Sequence, residues 1–318
     1  MNDFENNSAN QKIAVVDIGA NSVRMMIYDV NTETGGFTVC DSARHMLGLA
    51  GYISEGCLSP DGAGKLFAVL REYLARANDA LSDTFYVFAT ASLRGLSNSA
   101  RICDNIKKKL GIDIKIISGK EEAMYDFAAI AAKFDVSRRG ALVDMGGGST
   151  EIVLFENGSP VNYVSLPIGC LALAKKYVKN PPCVNAEEQN KIKKYARDIF
   201  SSLDGFRGFA DTVYLIGGTA RAVTRITAAV SLDGAEESSP FDAEDLLSVG
   251  EKLQKDRRLC RKMTDEHSPD RKLSVMAGYI ALGETVRYLG AKKIITSGTG
   301  VRDGFLLRKI EEIKTQNG

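Results

Sequence analysis

The feature that most constrains the fold of this chain is an internal repeat. Residues 14–29, AVVDIGANSVRMMIYD, align without gaps with residues 141–156, ALVDMGGGSTEIVLFE, and Asp17 aligns with Asp144. Each segment is typical of a hairpin: a strand, a tight polar turn entered by an acid, and a second strand. The repeat predicts a duplicated domain, and chance similarity between two short apolar hairpins is the alternative.

The rest of the chain alternates between helical and strand patterns, which predicts an α/β fold. Predicted helices cover 60–82, 98–110, 121–134, 186–204, 219–229, 242–254, 271–289 and a stretch from about 302, and predicted strands cover 85–92, 112–118, 212–217 and 292–298. Gly111 is expected to end the second helix. A mobile loop is predicted over 231–244.

Composition excludes several classes of protein. The 318 residues are 44% hydrophobic and 25% charged, which fits two globular domains. A net charge of +1 gives no reason to expect nucleic acid or an anionic membrane as a partner. No apolar run reaches the length of a membrane span, and the polar start MNDFENNSANQK contains no signal-peptide core.

The positions of the cysteines and histidines bear on disulfide bonding and on catalysis that uses histidine. The six cysteines are scattered without a CxxC pair, which indicates reduced thiols and a cytoplasmic protein. The two histidines, His45 and His267, lie outside any recognisable catalytic motif. No string matches the Walker A phosphate-binding loop of P-loop nucleoside triphosphatases.

The turn from Asp144 to Glu151 has a composition that suits phosphate and a metal ion. Its glycines let backbone amides approach an anion closely. Its carboxylates are suitable ligands for Mg²⁺, which can bridge them to a phosphate. A plain glycine-rich hairpin is the alternative. Two such hairpins facing each other would place Asp17 and Asp144 across a cleft between the two halves.

Several ordered motifs resemble one family. They are VDIGANSVRMMIYDV, ATASLR (89–94), ISGKEEAMY (117–125), VDMGGGSTEIV (143–153), LIGGTARAV (215–223) and SGTGVRDGFL (297–306). Together, over residues 12–310, they resemble the exopolyphosphatase / guanosine pentaphosphate phosphohydrolase (Ppx/GppA) family of the actin-like ATPase superfamily. The resemblance implies two ribonuclease-H-like domains with a cleft between them. Domain I is expected at 12–122 plus 300–318, and domain II at 123–299.

The resemblance also assigns roles to residues. It implies Glu121 as the catalytic base, and Mg²⁺ or another divalent cation held by Asp144, Glu151 and Asp17. It implies phosphate contacts from Asn21, Ser22, Arg94, Gly146, Gly147, Gly148, Ser149 and Arg271. The chain has Ala20 where the family more often has serine, and the role of Arg24 is left open. Segment 229–262 does not align.

Some of these residues can also be explained without a role in catalysis or phosphate binding. Without the resemblance, Glu121 is an acid in the first turn of a helix, where acids are favoured by the helix dipole. Its neighbour Glu122 is given this ordinary role. Arg94 reads equally as a surface arginine at a strand end. The basic tract 252–272 either guides a polyanion or is a solvated face.

The predicted function is release of terminal phosphate from inorganic polyphosphate by a cytoplasmic, homodimeric exopolyphosphatase. A pppGpp 5′-phosphatase is the alternative within the same class. An ATP-binding, actin-like assembly or regulatory protein and a sugar or acetate-type kinase are the alternatives of other classes. The chain looks like the family's short, two-domain form, without the helical extension of the longer enzymes.

Overall fold

The chain folds into two α/β units, each built around one β-sheet. The computed structural model describes residues 10–231 and 239–317. Unit 1 is Met1–Ser118 with Arg302–Gly318, and unit 2 is Gly119–Val301. The domain borders expected at 122 and 300 stay predictions.

Secondary structure in the first part of the chain begins with a hairpin. The elements in order are β1 (Asn10–Ile18), β2 (Val23–Asn31), β3 (Phe37–His45), a 3₁₀ turn (Leu49–Tyr52), β4 (Ile53–Ser54), β5 (Cys57–Leu58), α1 (Pro60–Asp79), β6 (Thr84–Ala89), α2 (Ser99–Leu110) and β7 (Ile114–Ile116). As predicted, Gly111 ends α2, in the left-handed conformation with φ 71°.

The remaining elements begin with the helix that follows β7. They are α3 (Gly119–Ala131), β8 (Gly140–Met145), β9 (Thr150–Glu156), β10 (Ser159–Leu166), α4 (Cys170–Tyr177), α5 (Ala186–Phe200), β11 (Thr212–Ile216), α6 (Gly217–Ser231), β12 (Phe241–Asp242), α7 (Ala243–Lys255), α8 (Arg257–His267), a 3₁₀ turn (Pro269–Arg271), α9 (Val275–Leu289), β13 (Lys293–Thr296) and α10 (Val301–Asn317). Of the loop predicted over 231–244, residues 232–238 lie outside the described residues, whereas 241–244 belong to β12 and α7.

The sheet of unit 1 has the strand order β3-β2-β1-β6-β7. Strands β1 to β3 are antiparallel, and β6 and β7 run parallel to β1. One face packs on α1, whose apolar residues Leu66, Leu70 and Tyr73 recur at helical spacing. The other face packs on α10, where the rings of Phe305 and Phe88 have centroids 4.9 Å apart.

The sheet of unit 2 has the strand order β10-β9-β8-β11-β13-β12. Strands β8 to β10 are antiparallel, β11 and β13 run parallel to β8, and β12 is an antiparallel edge strand. Helix α9 is buried along nearly its whole length, because α4, α5, α6 and α7 pack around it. Helix α3 covers the opposite face of the sheet.

The two sheets share one topology. If β8, β9, β10, β11 and β13 are taken as the counterparts of β1, β2, β3, β6 and β7, these five strands lie in the same order in both sheets. The aligned segments 14–29 and 141–156 form the same first hairpin in each sheet, as the repeat predicts. The α/β prediction and the ribonuclease-H-like arrangement of each unit are confirmed.

Two expectations from the sequence concern membrane helices and disulfide bonds. Within the described part of the chain, no helix is both long enough and apolar enough to cross a membrane. All six cysteines are free thiols, three of them buried. Free thiols agree with the sequence-based prediction that these cysteines form no disulfide framework.

Candidate active site

The glycine turn of unit 2 is held in a fixed orientation by helix α4. The Gly146 N–H donates to the Ser149 carbonyl at 2.9 Å and closes the turn. The Cys170 N–H donates to the Gly146 carbonyl at 3.0 Å, and the amides of Leu171 and Ala172 donate to the Gly147 carbonyl at 3.0 Å. In a trans peptide the carbonyl and the following N–H point in opposite directions. The amides of residues 147 and 148 therefore point away from α4.

This orientation decides which amides can bind a phosphate. Gly146 uses its N–H to close the turn, so it shapes the loop and does not supply a donor. Gly147 and Gly148 present amides on the side opposite α4, and Ser149 follows them in the same turn. Aligned amides of this kind form an anion-binding concavity.

Gly169 allows α4 to approach the turn so closely. A Cβ at Gly169 would lie 2.3 Å from the Gly147 carbonyl oxygen and 2.3 Å from the Gly148 carbonyl carbon. Backbone atoms cannot move aside as a flexible side chain would. Glycine at this position is therefore required by packing, which no motif in the sequence analysis had indicated.

A row of polar residues crosses three strands beside this turn. Asp144 pairs with Glu151 across β8 and β9, and Glu151 pairs with Ser165 across β9 and β10. Directly paired residues lie on the same face of a sheet, so all three side chains share one side. We call Asp144, Glu151 and Ser165 the unit 2 row. The Ser165 hydroxyl donates to Glu151 Oε1 at 2.7 Å.

The unit 2 row fits a divalent cation. Glu151 is only 1% exposed, and two carboxylates directly opposite each other are destabilising unless a cation lies between them. All donors in the row are oxygens, the ligand type that Mg²⁺ takes, commonly with one or two carboxylates plus phosphate oxygens and water. Within residues 10–231 and 239–317, no group of three or more His, Cys, Asp and Glu forms an all-protein metal cage.

The start of α6 also adjoins Asp144. Ile216 pairs with Asp144 across β11 and β8, and Gly217 begins the helix with a φ of 88°. A Cβ on Gly217 would lie 2.3 Å from Asp144 Oδ1. The partial positive charge at a helix N-terminus favours an ionised carboxylate there.

Helix α3, which contains Glu121, covers the sheet face on which the unit 2 row lies. Ala123, Phe127 and Ile130 of α3 pack against Leu142 and Val153. These two strand residues alternate with Asp144 and Glu151 at a spacing of two, so they share a face with them. The Lys120 ammonium lies 5.7 Å from the centre of the Tyr163 ring, and Tyr163 is two residues before Ser165. The N-terminal end of α3, with Glu121, is thus the end nearer the row.

Two further acids on α3 are buried. Glu122 is 6% exposed and Asp126, one helical turn later, is 0% exposed, whereas Glu121 is partly exposed. The ordinary, solvated role given to Glu122 is therefore wrong, because its side chain faces the interior. Sequence reasoning missed Asp126 altogether, although its spacing of four from Glu122 was a usable signal.

The glycine turn of unit 1 is closed and held by the same kinds of backbone hydrogen bond, but the segment that holds it is different. The Gly19 N–H donates to the Ser22 carbonyl at 3.1 Å, as in the second hairpin. The Ala50 and Gly48 amides donate to the carbonyls of residues 20 and 21 at 3.0 and 2.8 Å. The amides of Asn21 and Ser22 therefore point away from this segment. The Ser22 hydroxyl accepts from Arg24 Nε at 3.1 Å.

Asp17 has basic neighbours where Asp144 has an acidic one. It pairs with Arg24 across β1 and β2, and Arg24 pairs with Arg44 across β2 and β3. We call Asp17, Arg24 and Arg44 the unit 1 row. Arg302 Nη1 donates to Asp17 Oδ2 at 3.1 Å, and both side chains are nearly buried. Burial raises the pKa of Asp17, opposed by the charges of Arg302 and Arg24. Arg302 and Arg24 thus place positive charge beside Asp17 without a metal ion.

The two predicted phosphate arginines lie one in each unit. Arg94 follows β6, and its Nη1 donates to the Ile117 carbonyl at 3.2 Å in unit 1. Arg271 ends the 3₁₀ turn between α8 and α9 in unit 2 and is 8% exposed. A largely buried arginine is uncommon, since charged side chains are mostly exposed.

Comparison with known proteins identifies the family. A sequence model of the Ppx/GppA phosphatase family matches residues 26–313. The chain belongs to this family. The chain is similar to Exopolyphosphatase 1 of Mycobacterium tuberculosis, which is 24% identical over 307 residues, 94% of this chain and 88% of that protein. A guanosine-5′-triphosphate,3′-diphosphate pyrophosphatase of Pseudoalteromonas translucida is 26% identical over 303 residues, 94% of this chain but 59% of that protein.

Solved Ppx/GppA structures share the fold. The crystal structure of the Aquifex aeolicus family member superposes with a TM-score of 0.79 at 21% identity, over 95% of this chain and 98% of that one. An exopolyphosphatase from Cytophaga hutchinsonii gives a TM-score of 0.81 at 18% identity, over 95% of this chain and 98% of that one. The fold predicted from the resemblance is thereby confirmed.

Proposed function

We propose that this Ppx/GppA phosphatase hydrolyses the terminal phosphoanhydride bond of inorganic polyphosphate. The observation that carries the proposal is the unit 2 row: two facing carboxylates, of which Glu151 is buried and Asp144 partly exposed, beside a turn of oriented amides, on the sheet face covered by the helix that contains Glu121. Cation ligands, phosphate donors and a candidate base thus occur together in one unit. The M. tuberculosis relative, which carries the name exopolyphosphatase, covers nearly the same length.

In the proposed reaction, water attacks the terminal phosphorus and the bond to the bridging oxygen breaks. Glu121 accepts the proton of the attacking water, which contributes typically about 10²–10⁴-fold to such reactions. The amides of Gly147, Gly148 and Ser149 orient the terminal phosphate and stabilise charge on its oxygens. Arg271 is assigned a phosphate contact in the same unit.

Asp144 and Glu151 would hold the divalent cation. When bound, Mg²⁺ offsets the repulsion between these carboxylates and a polyanion and polarises a phosphoryl oxygen. Asp17 is a poorer candidate ligand than the other two acids, because one of its oxygens accepts from the Arg302 guanidinium. We therefore assign the cation to the unit 2 row.

Unit 1 is assigned to binding of the polyanion. Asn21 and Ser22 present oriented amides, and the unit 1 row contains two arginines and one aspartate. Together with Arg94, these groups favour negatively charged ligands. The shared cleft, the homodimer and the cytoplasmic location stay predictions.

A pppGpp 5′-phosphatase is the second candidate. The P. translucida relative is named for guanosine-5′-triphosphate,3′-diphosphate, and the chain matches it at similar identity. Both substrates end in a phosphoanhydride, so the chemistry proposed for Glu121 and the unit 2 row serves either one.

Phosphate release measured by malachite green with polyphosphate, pppGpp and ATP tests the proposal. We expect Mg²⁺-dependent release from polyphosphate, abolished by EDTA and restored by excess Mg²⁺. Faster release from pppGpp at equal concentration would favour the second candidate. ATP binding without release from any substrate would contradict hydrolysis and favour an actin-like regulatory protein.

A further inference from the structure

Ser165 is the third member of the unit 2 row, and no sequence motif had assigned it a role. Its side chain is exposed on the edge strand β10, while its partner Glu151 is 1% exposed. The Ser165 Oγ–H donates to Glu151 Oε1 at 2.7 Å, a normal distance for a hydroxyl donor.

This hydrogen bond helps to orient the Glu151 carboxylate. The side chain of glutamate ends in a broad torsion without a sharp preference, so burial alone does not define the positions of its oxygens. The Ser165 hydroxyl donates to Oε1, which restricts this torsion and with it the positions of both carboxylate oxygens. Hydrogen bonds from outer groups orient metal ligands in this way, and their loss typically weakens metal binding by roughly 10–100-fold.

We infer that Ser165 is a positioning residue that orients Glu151 for the divalent cation. The inference rests on the proposed function, since it takes the unit 2 row to be the cation site. Ser165 itself needs no contact with substrate. Because its side chain is exposed on an edge strand, removing the hydroxyl leaves no cavity and does not disturb the backbone hydrogen bonds of β10.

The same hairpin supplies a matched control. Ser159 pairs with Glu156 across β9 and β10 at the other end of the hairpin, and both residues are exposed. Ser159→Ala therefore removes a hydroxyl from the same strand, opposite the same residue type, away from the row. Ser165→Thr keeps the hydroxyl and suits a β-strand.

The test measures Mn²⁺ binding to the full chain. Electron paramagnetic resonance detects the bound Mn²⁺, with and without inorganic phosphate. We expect Ser165→Ala to weaken Mn²⁺ binding about 10-fold or more with an unchanged melting temperature. The Mg²⁺ concentration for half-maximal turnover should rise in parallel, while kcat at saturating Mg²⁺ stays close to wild type. Ser165→Thr and Ser159→Ala should bind Mn²⁺ as the wild type does.

Unchanged Mn²⁺ binding by Ser165→Ala would overturn the inference, and so would equal losses in Ser165→Ala and Ser159→Ala. The proposed function fails separately. A wild-type chain that binds Mn²⁺ but releases no phosphate would contradict hydrolysis and leave the role of Ser165 measurable. A wild-type chain that binds no Mn²⁺ under either condition would overturn both.

Discussion

At the scale of single residues, the two hairpins differ in the residue that lies opposite the aspartate at the equivalent position of the repeat. Arg24 lies opposite Asp17, whereas Glu151 lies opposite Asp144. The first aspartate is thereby neutralised by arginine, and the second is placed beside another carboxylate. A duplication that begins with two equivalent sites can in this way yield one half that favours anions and one that favours a cation. The two residues were visible in the sequence, but their register was not.

Gly217→Ala tests the close approach at Asp144. The added Cβ would lie 2.3 Å from Asp144 Oδ1, at a φ of 88° that alanine resists. Displacing the carboxylate by about 1 Å should lower kcat/KM by roughly 100-fold, measured by steady-state phosphate release. Gly64→Ala is the control, because an added Cβ there has no atom within 4 Å. It should keep full activity and stabilise α1 by about 1 kcal/mol. Full activity in Gly217→Ala would contradict the assignment.

At the scale of elements, each glycine turn is oriented by a segment outside its own hairpin. Helix α4 fixes the turn of unit 2, and residues 48–50 fix the turn of unit 1. The turns were predicted from their glycines and acids. The segments that hold them were not, because a backbone hydrogen bond leaves no mark on the residue type. The same limit explains Ser165, whose role comes from strand register.

The edge strands show a second limit of the sequence. Strands β3 and β10 were not predicted, and both are exposed along most of their length. Without a buried face, they lack the alternation of apolar and polar residues that marks a half-buried strand. Helix α8 was also missed, because its basic residues suggested a solvated tract. The inner strands and long helices, which bury apolar faces, were predicted at nearly their observed positions.

Gly169→Ala tests the contact between α4 and the glycine turn. Its Cβ would lie 2.3 Å from the Gly147 carbonyl oxygen, so α4 must shift and the amides of the turn must reorient. We expect KM for polyphosphate to rise and kcat to fall, together with a lower melting temperature.

A loss of stability alone could produce such a result, and Asn185→Ala controls for it. Asn185 caps α5 in the same unit: its side chain accepts from the Glu188 N–H at 2.9 Å, away from the turn. Losing this cap should cost about 1 kcal/mol in urea unfolding and leave KM unchanged. Equal kinetic losses in both variants would refute a specific role for Gly169.

At the scale of the whole molecule, net charge contributes little to substrate capture. The chain carries a formal charge of +1, so its overall field neither attracts nor repels a polyanion strongly. Attraction must come from local groups, such as the unit 1 row and Arg94. Interactions between exposed charges weaken as salt shortens the Debye length, from about 10 Å at 0.1 M to about 3 Å at 1 M.

Raising KCl from about 50 mM to about 500 mM should therefore raise KM for polyphosphate several-fold. The value of kcat should change little, since the buried Glu151 of the unit 2 row is screened less by salt than the partly or fully exposed arginines of unit 1. Steady-state phosphate release at fixed free Mg²⁺ measures both constants. A KM that does not respond to salt would show that the basic groups of unit 1 do not bind the substrate.

The central claim is that Glu121 takes the proton of the attacking water, and Glu121→Gln on polyphosphate tests it most directly. Glu187→Gln is the matched control, because Glu187 is also an acid in the first turn of a helix and forms an ion pair with the solvent-exposed Lys191. We predict that Glu121→Gln lowers kcat at least about 100-fold while tripolyphosphate binding, measured by calorimetry, survives. Glu187→Gln should match the wild type. Wild-type turnover in Glu121→Gln would contradict the account.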